Sequence, residues 1–221
     1  MIKFIARLSS YIFHPLLLIP INLFLIICFK PQWFGVNHWR DKTTLLLIIG
    51  IYSLLIPGIS FVMLKFLNII KSFEMKEKTE RIFPLIICMI FYLWLWINLK
   101  QDPAIPNAWN MFILSAIVAT GLSLAINNWI KISLHVVGIV SCIVFWIFIR
   151  VEYCNDGMCF FRLDIEGNNK FQLDYMLMIL FIIGGWVTTT RLLLKAHENI
   201  DIVVGTLVGI CSVLIANKIT Y

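Results

Sequence analysis

The chain has 221 residues, of which 61% are hydrophobic and 14% charged, with a formal net charge of +6. A soluble domain is about 45 to 50% apolar and about 25% charged, so this composition excludes a soluble globular protein. The basic excess is dispersed over the polar connections rather than gathered on one face. That argues against nucleic acid as a partner and leaves the anionic headgroups of a lipid bilayer.

Seven apolar runs follow one another, at 12–29, 43–66, 82–99, 108–126, 131–149, 174–190 and 202–217. Each comes near the ~20 residues a helix needs to cross ~30 Å of hydrocarbon, and none alternates as a strand would. In lipid only helices or closed barrels satisfy every backbone donor and acceptor. The expected fold is therefore all-α, a polytopic transmembrane helical bundle of six to seven spans. It is read as a single integral-membrane domain over 1–221, multi-pass in the cell membrane.

The first run follows Lys3 and Arg7 as a secretory signal would, but it is long and lacks a small-x-small cleavage site, so it is read as retained. Pro57-Gly58 predicts a kink in the second run. Trp33, Trp39, Trp94, Trp96, Trp109 and Trp129 lie near run ends and fit interfacial belts. Cys28, Cys88, Cys142 and Cys211 lie inside runs as small packing residues. Cys154 and Cys159 flank the polar loop Asn155-Asp156-Gly157-Met158 and could close a disulfide if it faces an oxidising compartment. Gly184-Gly185 and Gly205-x-x-x-Gly209 predict close helix approach. No His, Cys, Asp and Glu set has metal-ligand spacing, and His14 and His38 have no identifiable partner.

With seven spans, the connections at 67–81, 127–130 and 191–201 share one face with the N-terminus. This parity gathers Lys76, Arg81, Lys131, His135, Arg191, His197 and Asp201 at one membrane surface. Lys and Arg divide almost evenly between the two faces, so charge does not say which face is cytoplasmic.

The spacing Thr190-Arg191-x5-His197-x3-Asp201 resembles the third signature, Ser-Arg-x5-His-x3-Asp, of the type 2 phosphatidic acid phosphatase superfamily. Lys131-Ile-Ser133-Leu-His135 is similar to the second, Pro-Ser-Gly-His, with Ile132 in place of proline and Leu134 in place of glycine. Lys76-Glu-Lys-Thr-Glu-Arg81-Ile-Phe-Pro84 partly echoes the first, Lys-x6-Arg-Pro. There Lys76 and Pro84 keep register, Phe83 stands at the arginine position and Arg81 lies two residues away. The chain looks like a divergent bacterial branch.

The resemblance implies hydrolysis of a phosphomonoester or diphosphate through a phosphohistidine, with no metal or other cofactor. It assigns His197 as nucleophile, Asp201 as the group that orients it and His135 as the acid for the leaving oxygen. Arg191, Ser133, Lys131, Lys76 and Arg81 would hold the phosphate. The expected activity is that of a membrane-embedded lipid phosphatase acting on a phospholipid or isoprenyl phosphate or diphosphate. The alternative is a catalytically degenerate relative with a lipid-binding or assembly role; a transporter is a third reading, without the paired broken helices or inverted repeat that would support it.

Each residue also has a plainer reading. Asp201 suits an N-cap, and Arg191 and Lys195 suit a helix C-terminus. His135 is a packed polar residue, and Lys131 a side chain snorkelling to the headgroups. Glu74 to Arg81 reads as a solvated helix paired Glu74 with Lys78, Lys76 with Glu80 and Glu77 with Arg81.

Overall fold

Proline cannot donate a backbone hydrogen bond and pushes the residue before it out of the helical region. His14, ahead of Pro15, is accordingly extended (φ −66°, ψ 136°). The first apolar run is thereby divided into α1 (Ile2–Ile12) and α2 (Pro15–Phe29), which meet at a 56° bend. The structure, a computed structural model, describes residues 2–75, 77–154, 160–162 and 170–221.

The second run is one helical stretch from α3 (Thr43–Gly50) through a π-helical turn at Ile51–Leu55 into α4 (Ile56–Phe66). Pro57 lacks the N–H that would reach back one turn, and the π turn accommodates that gap. The disturbance expected at Pro57-Gly58 thus sits just before it. His38, partnerless in sequence, caps the short turn Trp39–Lys42 by accepting from the Arg40 amide.

The remaining runs are α5 (Ile82–Leu99), α6 (Asn107–Ile126), α7 (Leu134–Tyr153), α8 (Leu173–Leu193) and α9 (Asn199–Thr220). Six helices are long and apolar enough to cross a membrane, or seven if the bent pair is one span. The protein is a multi-pass helical membrane bundle. Besides helices and their connections, the described residues hold one small antiparallel ribbon, β1 (Phe160–Arg162) with β2 (Lys170–Gln172), between α7 and α8. Cys154, at the end of α7, is disulfide-bonded, while Cys159 lies outside the described residues.

Helix α7 is the centre of the bundle, packed by α2, α6, α8 and α9. Small residues allow these approaches. A Cβ on Gly138 would meet Leu18 of α2 at 2.7 Å, and one on Gly184 would meet Ile143 at 2.9 Å. On α9, a Cβ on Gly205 would lie 3.2 Å from the Ser133 carbonyl oxygen, and one on Gly209 only 2.9 Å from that of Val137. Asn22 of α2 donates to the Cys142 sulfur and accepts from the Trp146 indole, pinning α2 to α7 with every polar atom of that trio engaged.

Four sequence expectations change. Cys211 is exposed instead of packed, and a Cβ on Gly185 would meet nothing within 4 Å, so only Gly184 of that pair makes a close approach. Trp109 is fully buried in the core rather than part of an interfacial belt. The described residues of Glu74–Arg81 do not form a solvated helix: Met75 has φ +44°, only Thr79–Arg81 is a short 3-10 turn, and the Glu80 carboxylate accepts the amides of Lys71 and Glu77. Glu77 pairs with Lys71, and Glu80 and Arg81 are buried.

The α7–α9 contact makes a stability prediction. Gly209→Ala should lower the unfolding free energy in detergent by about 1–3 kcal/mol, because backbone and a β-branched side chain must yield. Gly185→Ala meets open space and should leave stability unchanged or raise it by up to about 1 kcal/mol through helix propensity.

Candidate functional site

Three connections and the start of α2 meet at one end of the bundle, as the parity argument requires. Lys78 donates to the Trp129 carbonyl, and Asn127 donates to the Lys78 carbonyl. Arg81 Nη1 donates to the Ile132 carbonyl at 2.7 Å and Nε to that of Met75. Lys131 Nζ reaches the Ala196 carbonyl at 3.3 Å, and the Ser133 amide donates to the Asp201 carbonyl.

The turn from α8 to α9 presents the third motif. Arg191 sits in the last turn of α8, whose end is closed by Lys195 in the left-handed region (φ +52°) and by the Ala196 amide donating to the Arg191 carbonyl. Two residues later Glu198 caps α9 in a box with Asp201. Asp201 therefore is a capping residue, but its Oδ2 is shared: it accepts from the Glu198 amide at 3.0 Å and from His197 Nδ1 at 3.2 Å.

His197 Nδ1 also lies 3.0 Å from the Lys131 carbonyl oxygen. Both partners only accept, so Nδ1 carries the proton and Nε2 the lone pair. Burial pulls this imidazole down to about 4; the Arg81 charge acts in the same direction, Asp201 opposes it, and Lys131 adds a smaller push downward. At neutral pH the ring is uncharged, and a neutral imidazole with a fixed tautomer is a competent nucleophile.

Arg191 and Ser133 supply the complementary half. Ser133 is the N-cap of α7, yet its hydroxyl makes no capping bond. Ser133 Oγ and the Arg191 atoms Nε and Nη2 are buried and have no hydrogen-bond partner among the described residues. A buried guanidinium with two unsatisfied nitrogens costs several kcal/mol unless something meets it. The first turn of α7 adds the positive end of a helix dipole. The acid that acts on Arg191 electrostatically is Glu74.

His135, in that first turn, donates through Nε2 to the Ser10 carbonyl of α1 at 3.1 Å. It lies within electrostatic reach of Arg191 and His197. Its ring meets that of His14 edge-on, centroids 5.5 Å apart. His14 is the residue the sequence left unassigned. The one local sign was its place before Pro15, which marks a helix break and says nothing of what lies across the bundle.

Arg81, buried and near enough to act on His197, and Lys131 are engaged with backbone carbonyls. Lys76 lies outside the described residues, and Phe83, at the arginine position of the first signature, is 51% exposed on the outer surface. Among the described residues no three His, Cys, Asp or Glu side chains assemble as metal ligands. No family model, curated protein or solved structure matches the chain.

The electrostatics of His197 can be read by imidazole ¹⁵N titration in detergent. The midpoint should lie well below the ordinary 6.5. Arg81→Gln removes a positive neighbour, favours the charged ring and should raise the midpoint. Asp201→Asn removes the compensating carboxylate and should lower it further.

Proposed function

We propose that this protein is a lipid phosphate phosphatase whose pocket lies where the N-termini of α7 and α9 meet the C-terminus of α8. The observation that carries the reading is that a neutral His197, its Nε2 lone pair set by two acceptors on Nδ1, and buried, unpartnered donors on Arg191 and Ser133 lie on connections that meet at one end of the bundle. Positioning and charge stabilisation are what phosphoryl transfer needs from a protein.

In this reading Arg191 and Ser133 hold the phosphate oxygens while Nε2 of His197 attacks phosphorus and the bond to the lipid oxygen breaks. His135 can protonate the departing oxygen only as an imidazolium: its Nε2 hydrogen is donated to Ser10, so Nδ1 must first take up a proton, from the monoanionic phosphate or from water, and then pass it on. Water then attacks the phosphohistidine, releasing orthophosphate and restoring His197. Asp201 keeps the Nδ1 proton in place and stabilises the charge the ring acquires on attack. The substrate class is a phospholipid or an isoprenyl phosphate or diphosphate, because the helices that carry the site are long and apolar enough to lie in a bilayer. Phe4, Leu8 and Tyr11 of α1, the helix that packs on α8, are all exposed.

The same pocket binding a lipid phosphate without turnover is the competing reading. It is favoured by one contact, the Ser10 carbonyl on His135 Nε2, which occupies a donor of the proposed acid.

Purified protein in mixed micelles with chelator should release orthophosphate from phosphatidic acid or an isoprenyl phosphate. His197→Ala should abolish release with the bundle still folded, and Arg191→Gln should lower the rate by about 10²- to 10³-fold, the loss seen when one transition-state donor is removed. Equal release by wild type and His197→Ala would reject the assigned nucleophile. Saturable lipid phosphate binding without release across a panel of lipids would favour the non-catalytic reading.

A further inference from the structure

The bend between α1 and α2 brings to the pocket an imidazole that belongs to none of the three motifs. His14 Nδ1 accepts the Leu16 amide at 3.3 Å. That bond fixes the neutral ring with its hydrogen on Nε2, and Nε2 makes no hydrogen bond among the described residues. The His14 ring packs edge-on against His135, and the Arg191 charge acts on both rings. Two features hold it there. The Ser10 carbonyl accepts from His135, and Gly138 of α7 leaves room for Pro15 and Leu18, the residues that begin α2.

We propose that His14 is an anion-binding residue of this pocket, donating from Nε2 to a phosphate held by Arg191 and Ser133, so that the α1–α2 bend forms the wall opposite the α8–α9 turn. The inference rests on the phosphate-binding reading above. It adds a fourth element to the site: α1 and α2 become part of the ligand cradle instead of a peripheral helix pair. The cap bond to Leu16 explains why a histidine suits this position. One nitrogen closes the helix, and the other remains for the ligand.

The test is binding of inorganic orthophosphate to the full chain in detergent, followed by calorimetry at neutral pH, with thermal unfolding of each variant measured alongside. His14→Ser keeps a hydroxyl able to cap α2 but removes the reaching donor, and should weaken phosphate by about tenfold, the value of one lost hydrogen bond. His14→Asn keeps a cap acceptor and a donor amide and should stay within about threefold of wild type. Both should melt as wild type does. Wild-type affinity in His14→Ser, with binding lost in Arg191→Gln, would overturn the role of His14 and leave the pocket standing. Equal losses in His14→Ser and His14→Asn, accompanied by lower melting, would make His14 structural and overturn the inference. Absence of saturable phosphate binding by the wild type would overturn both the inference and the reading it rests on.

Discussion

The bundle depends on the near-contact of two backbones. Gly205 and Gly209 remove the side chains that would hold α9 away from α7, and the Ser141 hydroxyl, bonded to the Gly209 carbonyl and to Ser212, ties the two helices together deeper in the bundle. In lipid, where apolar surface alone gives little reason for helices to associate, small residues and interhelical hydrogen bonds do much of that work. The consequence appears at the helix ends. With α7 and α9 this close their N-termini draw level, so the Ser133 amide reaches the Asp201 carbonyl and His197 reaches the Lys131 carbonyl. A larger side chain at either glycine would move the histidine off the carbonyl that sets its tautomer.

The cations at this end are used in two ways. Arg81 and Lys131 spend hydrogen bonds on backbone carbonyls of neighbouring connections, so they act as struts that hold the 127–133 loop and the α8–α9 turn in place. Arg191, as buried as Arg81, and Ser133 instead keep donors that the described residues do not satisfy. Buried polar groups in proteins are almost always paired; among the described residues these three atoms are not, and Glu74 is the acid that acts on Arg191.

Hydropathy made the spans legible, because a helix long enough to cross a bilayer must be apolar along its length. The link from His197 to Asp201 was legible for a different reason: it is a local contact, four residues apart across the start of α9. His14 was not. Its place beside His135 depends on α2 packing against α7, and the hydrogen bond that closes this corner joins residues 125 apart in sequence. The stretch around Glu74 to Arg81 misled for a third reason. Its alternating charges fit helical ion pairs, but the Glu80 carboxylate gathers two backbone amides and Arg81 is drawn under the loop to Ile132, contacts stronger than those surface pairs. Tertiary demands on Glu80 and Arg81 override the local preference.

The central claim is that residues from four separated segments form one phosphate pocket, and the most direct measurement is an experimental structure of the protein with vanadate bound. The account expects vanadium at Nε2 of His197, with its oxygens on Arg191 and Ser133 and the His135 ring at the opposite side of the metal. Vanadate bound elsewhere, or imidazoles of His135 and His197 that face away from a common cavity, would contradict it.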